Sequence, residues 1–190
     1  MALHNVNTPA GEIFWGHLLL MLCCVFYLIW WLVAFKPGDN NFGVGTSLII
    51  VVAGLLGLAG VVLILIGTRT IPHETGLFPG NSLLIGGVIA YILLCVITGI
   101  LMKRPVTTEL FLITGWVVME LSTISALYGA GVFTWNRSII FSAVVAVAAV
   151  VSLVAYGLYY KLDPVPSYID GTIPLVMVGI ISVVMAVLAA

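Results

Sequence analysis

"FLITGWVVMELSTISALYGAG", residues 111 to 131, reads as a membrane-crossing helix with one discordant residue, Glu120. About 20 apolar residues at 1.5 Å each cross a hydrocarbon core about 30 Å thick. This run, with its lead-in from Thr108, is long enough to do so and contains no turn former until its glycine-rich end. The question it raises is whether the rest of the chain is built the same way.

It is. Of 190 residues, 63% are hydrophobic and 7% charged, with a mean hydropathy of +1.29. A soluble domain carries about 25% charged residues, so the composition identifies an integral membrane protein of the all-α, polytopic class. Six spans are expected, at about 14–35, 45–68, 82–102, 108–131, 138–160 and 172–189, in a single transmembrane domain. Turn formers or charges bound them, as in "KPGDNNFG" after the first, "RTIPHETGLFPGN" after the second and "KLDPVPSYIDG" before the sixth. The opening "MALHNVNTPAGE" has no Lys or Arg, and the apolar run after it exceeds a signal-peptide core of about 7 to 15 residues. The first span is therefore expected to be retained.

Charge gives an orientation. Lys36, Lys103, Arg104 and Lys161 fall in the first, third and fifth connections, against Arg69 and Arg137 in the second and fourth. By the positive-inside rule the odd connections face the cytoplasm, both termini lie outside, and the location expected is the plasma membrane. The net charge of -1 leaves no basic face for nucleic acid. The partners expected are the lipid bilayer, further copies of the chain or a second membrane subunit, and a small solute or ion.

Small residues suggest how the helices meet. "AGLLGLAG" (53–60) and "SAVVAVAAVVS" (142–152) let backbones approach closely, which places helices 2 and 5 at the centre. A short echo between the halves, "GEIF" (11–14) against "TELF" (108–111), suggests an inverted 3+3 repeat.

Glu120 lies about 18 Å from the start of its span and about 16 Å from its end. A carboxylate at that depth costs about 2.5–3.5 kcal/mol on insertion scales, so it is expected to face the bundle, pair, or take up a proton. At 100° per residue, Glu109, Ile113, Trp116, Glu120, Thr123 and Leu127 form one stripe. Trp116 and Thr123 flank Glu120 as an aromatic wall and a hydroxyl, the expected lining of a proton- or substrate-binding site. Glu109 is read as a first-turn residue that favours the helix dipole.

A second group, His17, His73 and Glu74, falls on the outer side and would respond to a pH of about 6 or hold a ligand. Its spacing matches no metal signature, "PHET" included, so no metal site is expected. Only His17 lies within a span, which leaves no pair of histidines for haem, and no cofactor is expected. Cys23, Cys24 and Cys95 sit in apolar runs without C-x-x-C spacing and are read as packing residues. Trp15, Trp30, Trp31 and Trp135 mark interfaces. No phosphate loop or nucleophile elbow occurs, and Glu120, His17 and Asp170 fall at different depths, so no catalytic residue is assigned and an enzyme is disfavoured. The expected function is a small transport or channel protein. The alternatives are a non-transporting subunit of a membrane complex and, third, an intramembrane enzyme acting on lipid.

Overall fold

The computed structural model describes residues 8–38, 43–71, 76–78, 81–102 and 108–189, all of them helical or in connections. Seven helices are described: α1 (Pro9–Ala34), α2 (Val44–Arg69), α3 (Ser82–Met102), α4 (Thr108–Gly129), α5 (Trp135–Tyr159), α6 (Pro164–Asp170) and α7 (Ile173–Ala189). Among the described residues, six segments have membrane-spanning length and hydropathy, the last being α6 and α7 together, Pro164–Ala189. The protein is an all-α, multi-pass membrane protein, and large apolar side chains such as Leu48, Leu55, Leu84 and Leu101 stand exposed along its helices. A soluble protein rarely exposes contiguous apolar surface on this scale.

Several helix ends differ from the sequence reading, and three of them have a local reason. α1 starts at Pro9, about five residues before the expected Phe14, because Thr8 caps it by accepting from the Gly11 N–H at 3.1 Å. Proline at the first helical position has no amide left unsatisfied there. α4 stops at Gly129 and not at 131. Gly131 adopts φ +73°, its N–H donates to Tyr128 O, and the Val132 N–H donates to Leu127 O, which closes the helix in a Schellman turn. The last span begins at Pro164 and breaks after Asp170. Pro174 has no N–H to return to the carbonyl one turn back, so a new helix must start close to it.

The chain divides into two compact units. One holds α1, α2, the end of α5 from Val154, α6 and α7; the other holds α3, α4 and the rest of α5. Neither unit is one of the two three-helix halves of the expected repeat.

In the first unit α2 turns a heptad of Thr46, Ala53, Gly60 and Gly67 inward. The glycines are required. A Cβ on Gly60 would stand 2.7 Å from Gly16 O, one on Gly16 2.8 Å from Gly60 O, and one on Gly67 2.8 Å from Pro9 O. The backbones of α1 and α2 thus touch without side chains between them, the contact that gives membrane helices their dispersion energy. The end of α1 is tied to α6 by Trp31, whose indole donates to Tyr168 O at 3.0 Å, while the Tyr168 hydroxyl donates to Leu32 O at 2.8 Å.

In the second unit α3 leans on α4 through a narrow stripe, with Gly87 against Val118 and Tyr91 edge-on to Phe111. None of the apolar window of α3 is buried, whereas half of that of α4 is. The buried shares of helices 2 and 5, 17% and 28%, are below that of α4. The reason is hydropathy. α4 is the least apolar span, at 1.7 against 3.1 for α2, and its polar side chains are the ones that gain by leaving lipid.

Candidate functional site

α4 carries the candidate site. Counting from Thr108, Glu120 stands about 18 Å along the helix, with about 14 Å remaining to Gly129. Its exposure is 0%, as is that of Thr123, and Trp116 and Leu127 on the same stripe are buried. Further toward the N-terminus the stripe emerges, with Ile113 half-buried and Glu109 exposed. The amphipathic pattern is thus confined to the middle and last turns of α4.

The structure brings Trp116 and Glu120 together. The indole Nε1–H donates to Glu120 Oε1 at 3.0 Å across one helical turn. Indole is a neutral donor with no acceptor, so it offers the carboxyl one N–H. Thr123 lies on the same face, but its hydroxyl donates to Met119 O at 3.0 Å. In apolar surroundings the carbonyl one turn back is the nearest acceptor a helical hydroxyl has, and Ser122 and Ser182 use theirs in the same way, at 2.7 and 2.8 Å. The Thr123 oxygen then offers lone pairs and no proton to anything that approaches.

Three further hydroxyls of this unit do not follow that habit. Thr114 Oγ1, Ser142 Oγ and Ser152 Oγ are buried and bond nothing among the described residues. A buried hydroxyl left unsatisfied costs about 1–3 kcal/mol, which is recovered by a water or a polar solute. On α5, Ser142 and Ser152 fall on a face with Ser138, Val145 and Ala148, the last three also buried. The two serines bound "SAVVAVAAVVS", where the sequence reading weighed their size and not their hydroxyls.

In the first unit His17 is 0% exposed, and its Nδ1–H donates to Ile13 O at 2.8 Å in the tautomer that satisfies this carbonyl. The early start of α1 puts His17 about 12 Å into the helix and not beside its end. His73 and Glu74 lie outside the described residues. Asp170 ends α6 and is buried, and its Oδ2 bonds nothing among the described residues; Glu12 Oε2 is likewise buried and unbonded. No group of three metal-ligating side chains occurs among the described residues. Cys24 is buried and Cys23 and Cys95 are half-buried, all three within helices and none in a disulfide.

The chain matches no protein-family model, no curated protein and no solved structure.

Proposed function

We propose that this protein is a small membrane transport or channel protein in which Glu120 binds a proton, a cation or a small polar solute. One observation carries the reading: a fully buried carboxyl in the middle of the most enclosed spanning helix, held by a neutral indole donor. Ionisable groups at such depth are costly and are retained in membrane proteins chiefly on ion and substrate paths. The buried hydroxyls of Ser142 and Ser152 support it, since they offer further polar stations in the same unit. Trp116 orients the carboxyl, and Thr123 contributes an acceptor one turn further on.

The test is flux in proteoliposomes, with imposed proton and monovalent cation gradients, for wild type, Glu120→Gln and Glu120→Ala. Glutamine keeps the acceptor for Trp116 and removes the exchangeable charge, so it should abolish flux without loss of folded protein. Equal flux in all three would end the proposal.

A second reading, a non-transporting subunit that holds a membrane complex together, is favoured by α3, which leaves its whole outer surface uncovered. It predicts a stoichiometric partner and no flux. Catalysis is disfavoured because no nucleophile motif accompanies the buried acid.

A further inference from the structure

Two hollows of opposite chemistry lie along one line of the first unit. The outer one, of about 270 Å³, is walled by Trp31, Phe35, Tyr159, Ser167 and Tyr168 where α1 ends beside α6. The inner one, of about 290 Å³, is an apolar groove between α1 and α7 lined by Met21, Cys24, Leu28, Leu175, Gly179 and Val183. On α1 the lining positions Met21, Cys24, Leu28, Trp31 and Phe35 recur every three or four residues, so both hollows open on one face of the helix.

The dimensions and charges fit one class of molecule. From Phe35 to Met21 the stripe runs about 21 Å, the depth of one leaflet of hydrocarbon, about 15 Å, plus part of the headgroup layer. The outer hollow is at the lower limit of small-molecule pockets, which begin at about 300 Å³, and so has room for a headgroup and not for a whole lipid. Its walls carry the ring-and-hydroxyl chemistry of a membrane interface. Exposed Lys36 stands between the lining residues Phe35 and Pro37, exposed Lys161 follows Tyr159 by two positions, and exposed Asp163 precedes the lining residue Pro164, so exposed lysines outnumber exposed acids two to one beside this hollow among the described residues. An aromatic floor, exposed lysines in excess over exposed acids among the described residues next to it in sequence, and an apolar groove running inward are the complement of an anionic amphiphile.

We infer that one anionic phospholipid lies along the α1–α7 seam, its phosphate near Lys36 and Lys161, its glycerol region against Trp31 and Tyr159, and an acyl chain in the groove beside Gly179. This is the side of the bilayer on which the lysine-rich connections place the anionic leaflet. A bound lipid there would also cover the joint at which α6 gives way to α7.

The experiment is native mass spectrometry of the full-length protein, delipidated in detergent and titrated with phosphatidylglycerol or phosphatidylcholine of the same acyl chains. Each lysine is worth about a five-fold preference for an anionic headgroup, so wild type should retain one phosphatidylglycerol with about a 25-fold advantage. Lys36→Ala with Lys161→Ala should bring the two lipids to parity, and Lys36→Arg with Lys161→Arg should keep the advantage. Filling the groove by Val176→Trp should weaken both lipids equally. Both lysines are exposed and distant from Glu120 in sequence, so the double alanine variant should keep its melting temperature. Equal retention of the two lipids by wild type, or an unchanged preference in the double alanine variant, would overturn the inference.

Discussion

Burying a carboxyl at mid-helix in a membrane segment costs several kcal/mol unless something compensates, and at Glu120 part of the compensation is identifiable as the indole of Trp116. Trp116→Phe keeps most of the packing and removes the donor. It should destabilise the protein by about 1–3 kcal/mol, read as a lower melting temperature in detergent. Glu120→Gln should keep this bond, because the amide oxygen still accepts from the indole. Much of this was legible in the letters: an acid at position 120 of an apolar run, with an indole four residues before it, can be paired by counting alone. The hydroxyl of Thr123 was less legible. Its side of the helix follows from periodicity, but its choice of the Met119 carbonyl depends on which acceptor is nearest in the absence of water. The buried serines of α5 were overlooked because in a run of Ala and Val a serine reads as one more small residue.

Among the helices, close packing is decided by a few glycines. Gly60 sits against the α1 backbone, whereas Gly54, six residues earlier on α2, has nothing within 4 Å of an added Cβ. Gly60→Ala should force the two backbones apart and cost about 1–3 kcal/mol, while Gly54→Ala should be neutral or stabilising through its better helix propensity. Thermal unfolding of the two variants side by side checks this pair. Tyr168→Phe should cost about 0.5–1.5 kcal/mol by freeing the Leu32 carbonyl at the α1–α6 tie. Sequence spacing revealed that α2 carried a close-contact face, but not that its partner is α1, since small residues mark an approach and do not say what approaches. Helix ends were missed where hydropathy was weighed above capping, as at Thr8-Pro9, and where a proline splits an apolar run, as at Pro174.

Across the whole molecule, orientation rests on lysine and arginine placement, which makes it testable by labelling. In a background lacking Cys23, Cys24 and Cys95, a thiol at position 36 should react with membrane-impermeant reagent only from the cytoplasmic side. One at position 136 should react only from outside. Labelling of both from the same side would reverse the assignment of the connections. Gentle extraction from the native membrane followed by native mass spectrometry separates the two classes of function, because a stoichiometric second chain belongs to the subunit reading and a lone or self-associated chain to transport. The number of spans was fixed by length and apolarity, quantities that any six runs of this kind display. Enclosure was read from small residues and not from hydropathy, although the least apolar span, α4, is the one with the largest buried share.

The most direct measurement is infrared difference spectroscopy of the protein in lipid, recorded while pH and then monovalent cation concentration are stepped, for wild type and Glu120→Gln. If Glu120 is the working group, a carboxyl band present in wild type and missing from the glutamine variant should change with one of these steps. A Glu120 band that stays the same through both would contradict proton or cation binding at this site and leave the carboxyl as a fixed interhelical or intrahelical bond.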